Sequence, residues 1–491
     1  MPRKAMQHVS RRSFLAASAA FAARPALAAT PAAASGPFEV VVVGAGAAGI
    51  AAARKLAAAN RRYVVIEASD HVGGRCVTDS KTFGVPFDRG ARWIYLPDVN
   101  PLTKLTTHRG IDVYPAPQSQ KVRIGRRFAR EGELEDFLTA QVRATRAIDD
   151  AARKADIPSE QVVPADLGDW RGTVEFVLGP YNCAKDLTQV SSFDFAKAAE
   201  RNAAAFCQQG FGALLAGLAQ GLAIQLSTPA KSIDTRSGVS IETAKGTIGA
   251  RFAIVTVPTN VVASAGLRFY PDLGHHQIDA FGRMSLGSYD HIALELNGNP
   301  LGLDSDDLVF EKSANTHTAA ILANIGGTAL CTIDVAGAFG RDLSAQGEAA
   351  MFDFAADWLA NLYGAEIKQA IGRKHATRWN ADPFALGAWS AAVPGSQFAR
   401  RQFLDPVADS VWYAGEAAHE TLWGTVGGAW ESGERAADAV MSHLGPLKAA
   451  PAESKAAPQR KPQRARAERA EPGYQPRQYF GDTPSIMREE R

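Results

Sequence analysis

The sequence predicts an α/β fold built around a parallel, nucleotide-binding sheet, with a second α+β domain threaded through it. Three observations carry that prediction. Residues 38–43 read Phe-Glu-Val-Val-Val-Val, a nearly continuous apolar run of the kind that fills a parallel strand covered on both faces. That run passes directly into Gly44-Ala45-Gly46-Ala47-Ala48-Gly49 and then into the Ala-rich helix former 50–59. Finally, 491 residues exceed the usual size of one hydrophobic core, so two joined domains are expected.

Each glycine of the first motif has a task. Gly44 permits the tight turn, Gly46 lets the backbone approach a pyrophosphate, and Gly49 lets the helix pack closely on the strand. The helix N-terminus then faces the phosphate charge. A second strand, 63–67, ends in Glu67, 18 positions after Gly49, where a carboxylate accepts hydrogen bonds from a ribose. A GxGxxG alone is a weak signal; strand, helix and acid around it make it a dinucleotide site. It leaves open whether the dinucleotide is NAD or FAD.

Composition narrows the class. Apolar residues make up 46% and charged residues 21%, as in an ordinary globular chain, and no apolar run reaches the length of a membrane span. Cys76, Cys183, Cys207 and Cys331 are scattered, with no CxxC pair and no Cys/His cluster, so neither a metal site nor a disulfide framework is expected. The net charge of +2 belongs to the ends. Between residue 28 and Lys448 the chain keeps 38 of its 53 basic and 45 of its 51 acidic groups, so nothing points to nucleic acid.

Neither end reads as fold. Residues 1–28 combine basic groups, Ser10-Arg11-Arg12-Ser13-Phe14-Leu15, an Ala/Phe-rich stretch and Ala26-Leu27-Ala28. That is the pattern of a twin-arginine signal peptide, which implies export of the folded protein by the twin-arginine translocase to the periplasm or beyond. Residues 448–491 are rich in Ala, Pro, Arg, Glu and Gln without apolar periodicity, and are expected to be a disordered tail.

The choice of cofactor comes from two further stretches. Ser69-Asp70-His71-Val72-Gly73-Gly74-Arg75 resembles the second glycine motif of flavoproteins related to glutathione reductase and the amine oxidases. Ser410–Glu416, ending Ala-Gly-Glu, followed by the glycine-rich helix start 424–437, closely resembles the signature of the flavin-containing amine oxidases. Residues 210–215, 226–233 and 253–258 follow the middle part of that family. The resemblance implies a Rossmann-type, glutathione-reductase-like FAD-binding domain (37–100, 205–280 and 395–445) interleaved with an α+β substrate domain (101–204 and 281–394). It implies FAD, with Gly74 and Arg75 at the pyrophosphate, Ala230 at adenine, Gly415 and Glu416 at the ribityl chain, and Thr425 and Val426 at the pyrimidine ring. His71 is expected to be a solvated loop residue, and the segment 131–154 to be a helix able to cover the active site.

The family pattern is broken on the catalytic face. His291 stands where many amine oxidases have a lysine that holds a water near the flavin; it either anchors a water or is a packed histidine. Ala388 stands where monoamine oxidases have the cysteine bound to FAD, so noncovalent FAD is implied. Trp389 would form one wall of an aromatic cage, but Thr425 occupies the position of the other; Trp423 either replaces it or belongs to the core. Arg92 is either an anchor for a substrate carboxylate or a partner of FAD phosphate or of a structural acid. The implied reaction is hydride transfer from the C–N carbon of an amine or amino acid to FAD, with O2 as acceptor. A tryptophan 2-monooxygenase-like enzyme, a carotenoid-desaturase-like dehydrogenase and a non-catalytic FAD-binding protein stay open.

Overall fold

Residues 40, 41 and 42 are valines with no exposed surface, and alternation along the strand sends them to two different cores. Val40 and Val42 pack with helices Ala47–Ala58 and Val426–Leu444, while Val41 and Val43 pack with Phe269, Phe281 and Phe403. A strand buried on both faces needs apolar residues at every position, which is why the run reads as unbroken. This computed structural model describes residues 38–447 except Gln118, Ser119, Asn202 and Gln397. The expected signal segment and tail lie outside the described residues, and the compact unit ends at Gly445.

Strand Phe38–Val43 pairs in parallel with Tyr63–Ile66 on one side and with Gly246–Val255 on the other. Val411–Tyr413 joins the same sheet in parallel with Ala253–Val255, beside the parallel core. Beyond Gly246–Val255 the next two pairings are antiparallel, through Val239–Thr243 and Ala230–Asp234, and Arg268–Tyr270 closes that edge in parallel. The result is an eight-stranded mixed sheet. Helix Val426–Leu444 lies against helix Ala47–Ala58, and Gly433 allows the approach: a Cβ there would sit 2.0 Å from the Ala48 carbonyl oxygen.

A second, seven-stranded sheet runs in the order 371–376, 289–296, 330–336, 320–323, 307–311, 120–124, 127–128. It is antiparallel except where Asp307–Glu311 meets Gln120–Ile124. Its strands alternate along the chain with those of the first sheet, so the two grow as one interlocked body. Register matters here. Tyr289–Leu296 pairs with Leu330–Ala336 so that His291 lies directly opposite Asp334, which puts both side chains on one face. Tyr289, two residues earlier, shares that face.

The helix expected near 131–154 forms as Glu131–Ala152. It buries Phe137, Ala140, Ala144 and Ile148, spaced three and four apart, against a core that includes Trp170 and Phe176. None of its residues lines the cavity described below, so it shores up that core rather than covering the site. Among the described residues no helix is long and apolar enough to cross a membrane.

Candidate active site

One cavity runs from the first glycine turn to the face of the second sheet, and nearly every residue singled out from the sequence lines it. Gly44, Gly46, Glu67, Gly74, Arg75, Ala230, Gly415, Glu416, Thr425, Val426, Arg92, His291 and Trp389 all do. Gly49 does not. A Cβ there would lie 1.9 Å from the Gly44 carbonyl oxygen, so its task is to let helix and strand touch.

The nucleotide end is a cradle. At Gly46 an added Cβ would meet nothing closer than 3.9 Å, so backbone rather than side chain faces open space. Gly46 is also the N-cap of helix Ala47–Ala58 and offers no side-chain cap, which leaves the first N–H groups for an anion. The Glu67 carboxylate accepts from the Ala45 N–H at 2.6 Å and from the Ser69 N–H and hydroxyl, each at 2.8 Å. It thereby ties the first glycine turn to the second glycine motif. These residues fit the dinucleotide that the motifs imply. His71 is half-buried in the cavity wall rather than free in solvent.

Glu416 organises the other end. Its buried carboxylate accepts from Arg75 (3.1 Å), the Ser390 N–H (3.1 Å), the Ser390 hydroxyl (2.7 Å) and the Gly424 N–H (3.0 Å). It therefore holds the segment after Trp389 and the segment before Thr425 at once. Behind it Arg400 donates to the Ser390 hydroxyl and pairs with buried Asp194 through two 2.6 Å contacts. Arg75 also donates to the Ala388 carbonyl at 2.5 Å. The Thr425 hydroxyl caps the 19-residue helix Val426–Leu444 by accepting from the Gly428 N–H, so a helix N-terminus points into the cavity beside Trp389. Gly424, at φ +69°, gives Trp389 room: a Cβ would stand 2.6 Å from the indole.

His291 departs from the water-anchor reading. Its Nδ1 is 2.6 Å from the Asp334 carboxylate and its Nε2 is 3.1 Å from the Gly90 carbonyl. Both ring nitrogens face acceptors, which calls for a proton on each and leaves no polar atom to hold a water. Burial lowers the imidazole pKa, but the Asp334 charge and hydrogen bond, with the Gly90 carbonyl and Asp290, outweigh it, and the net shift is upward. The Tyr289 hydroxyl donates to the other Asp334 oxygen at 2.8 Å. Trp423 belongs to the core: it is buried with Cys183, Val190 and Ala391 and does not line the cavity.

Several participants escaped the sequence reading. Tyr289 packs on Trp389 at 4.9 Å between ring centroids, and Tyr181 follows at 5.9 Å from Tyr289. Trp93 and Tyr95, stacked at 6.2 Å, add a further aromatic wall, and Arg201 lines the same cavity. The alternation of Tyr289 and His291 on one strand was the available signal for the first of these. Arg201 and Asp334 follow only from tertiary placement. Among the described residues no group of three or more His, Cys, Asp or Glu is arranged for a metal ion.

Comparisons with known proteins agree with this geometry. Residues 47–441 match the family model described as flavin containing amine oxidoreductase. Polyamine oxidase 4 of Oryza sativa subsp. japonica is 26% identical over 445 residues, covering 83% of this chain and 89% of that protein. The human lysine-specific histone demethylase 2 is 26% identical over 442 residues, covering 82% of this chain and 53% of its own length. Among solved structures, cyclohexylamine oxidase from Brevibacterium oxydans IH-35A superposes with a TM-score of 0.71 at 18% identity, over 83% of this chain and all of that one. A putrescine oxidase bound to putrescine gives 0.69 at 18%, over 83% and 99%. At that identity the structures speak to the fold alone.

Two predictions follow from the site. Glu416→Gln keeps the shape but removes the charge from four donors and leaves Arg75 without its acid; we expect the purified protein to lose most of its bound flavin, read as the ratio of flavin to protein absorbance. His291 titrates with a raised folded pKa, so the stability its charge contributes is complete below the ordinary value of 6.5 and is lost as pH rises through the raised one. The Tm gap between the protein and His291→Gln should therefore be widest near pH 6 (about) and narrow on the alkaline side. A gap that stays flat would show that the ring is not an imidazolium.

Proposed function

The chain belongs to the flavin-containing amine oxidoreductases, and from that premise we propose that its cavity holds FAD noncovalently and oxidises a primary or secondary amine there. The supporting observation is the continuity of the cavity, which joins the glycine cradle to the Trp389–Tyr289–His291 face without a break. Ala388 supports noncovalent attachment, since it offers no thiol. FAD bound there supplies the acceptor for the hydride leaving the amine's α-carbon, and with O2 as the terminal acceptor the products are an imine, which hydrolyses, and hydrogen peroxide.

The chain's own task is to orient an amine, keep water away and favour its neutral form. Trp389, Tyr289, Tyr181, Trp93 and Tyr95 give the substrate end aromatic walls. A buried ammonium in such a place loses hydration, and the cations Arg92, Arg201 and protonated His291 oppose it further. Both effects lower the pKa of the bound amine, so it reaches the neutral state without a dedicated base. His291, with both nitrogens committed, acts as a fixed charge rather than as a proton acceptor.

Export is part of the proposal. Arg11-Arg12 with Phe14-Leu15 and Ala26-Leu27-Ala28 support passage of the folded, FAD-loaded protein through the twin-arginine route to the periplasm.

Anaerobic mixing of the holoenzyme with a panel of amines, amino acids and polyamines tests the reaction. One class should bleach the flavin band, and admitting air should restore it with release of peroxide. Failure of every compound to bleach the flavin would sink the proposal; bleaching that only a quinone or dye reverses would replace O2 as acceptor. For export, Arg11→Lys with Arg12→Lys should leave holoenzyme in the cytoplasm, and unchanged periplasmic activity would rule that route out.

A further inference from the structure

We infer that the substrate carries a carboxylate beside its amine, received by Arg201 together with Arg92. This rests on the amine oxidase reading above and adds the class of molecule that enters the cavity.

The argument starts from two cavity-lining arginines that make no ion pair. Of the acids lining the cavity, Glu67 is committed to the glycine turn and Glu416 to Arg75 and the backbone. Asp382 sits in the rim segment with exposed Phe384 and accepts from the Phe384 N–H. Arg75 and His291 have their carboxylates. Arg92 and Arg201 have none: among the described residues neither makes an ion pair. Arg92 is only 9% exposed, its Nε is buried without a partner, and its guanidinium rests 5.0 Å from the centre of the Phe206 ring. Burial raises the carboxyl pKa of Asp306 and the Arg92 charge draws it down, but that acid lies outside the cavity and forms no ion pair with the guanidinium, so an anion inside the cavity would be its first direct carboxylate partner.

Arg201 is held ready. Its guanidinium carbon lies 5.3 Å from the Tyr95 ring centre and 4.9 Å from that of Trp423, and one Nη donates to the Trp423 carbonyl at 2.6 Å. The aromatic planes and that single bond fix the orientation of the fork; its Nε is covered, and among the described residues its second Nη has no hydrogen-bond partner. A guanidinium so placed can offer that Nη and its charge to a carboxylate.

Position separates this from the cofactor's phosphates. The pyrophosphate is served by Gly46, Gly74 and the N-terminus of helix Ala47–Ala58. Arg201 instead hangs on Trp423, immediately before Gly424 and Thr425, and Arg92 follows Gly90, whose carbonyl meets His291. Both therefore belong to the segments that build the Trp389–His291 end. A polyamine would bring two or more ammonium charges beside two guanidiniums that form no ion pair. An amino acid brings the missing anion, and its apolar part meets aromatic walls.

Paired substrates that differ only in the carboxylate test this: phenylalanine against phenethylamine, and lysine against cadaverine, each mixed anaerobically with holoenzyme. The acid member of a pair should reduce the flavin with at least tenfold higher efficiency. Arg201→Met should erase the preference by roughly 10–100-fold, and Arg201→Lys should restore part of it. A readout without turnover is titration with 3-phenylpropionate, which should perturb the flavin absorption of the parent protein and not of Arg201→Met. Should Arg201→Met lose FAD, Arg201→Lys, Arg92→Gln and the titration of the parent protein decide. Preference for the decarboxylated member, or a preference unchanged in the arginine variants, overturns the inference. If no pair member reduces the flavin while another amine of the panel does, this inference fails alone; if no compound of the panel does, the amine oxidase reading fails, and the titration still reports on the carboxylate site.

Discussion

The rest of the site depends on one buried carboxylate. Glu416 receives donors from three separated parts of the chain: Arg75 beside the second glycine motif, Ser390 after Trp389, and Gly424 before the last helix. Without it, Trp389 and the N-terminus of Val426–Leu444 have no shared reference point. Because the donors outnumber what one oxygen can accept in good geometry, both oxygens are used and the carboxylate has little freedom to turn. The Asp194–Arg400 pair behind Ser390 extends the same logic one layer deeper, and its value is placement more than stability.

The first sheet could be read from sequence because its physics is local. The run 38–43, the glycine turn and the Ala-rich helix each declare themselves within a few residues, and Glu67 completes the unit within a few more. Gly49 shows how far such reading reaches: its task was legible, yet it lies outside the cavity because close packing and ligand contact are different uses of a missing Cβ. The site's second half was legible only as positions. His291 could be found, but what it does depends on Asp334, 43 residues later, which the pairing of two strands brings opposite. Trp423 was ambiguous because indole burial is decided by neighbours distant in sequence, among them Arg400 and Asp194.

A clamped cation determines how the catalytic face can work. A histidine held by Asp334 on one side and the Gly90 carbonyl on the other stiffens the segment that carries Arg92, Trp93 and Tyr95. The same Asp334 takes the Tyr289 hydroxyl, and Tyr289 supports Trp389 from behind. One carboxylate thus sets the position of two walls, a counterpart in the second sheet to what Glu416 does at the junction of the glycine segments.

These two anchored frames explain why positive charge can be left over. Glu416 and Asp334 are both spent on structure, so neither pairs with Arg92 or Arg201, and Asp306, which feels the Arg92 charge, lies outside the cavity. In a cavity meant for a bare polyamine, such a surplus would weaken binding of the very molecule to be oxidised. In a cavity that receives a zwitterion the same surplus has two uses: it attracts the carboxylate, and it presses the neighbouring ammonium toward the neutral amine from which hydride can leave. Binding and activation then draw on one set of charges, which accounts for a catalytic face with fixed cations, aromatic walls and no separate base.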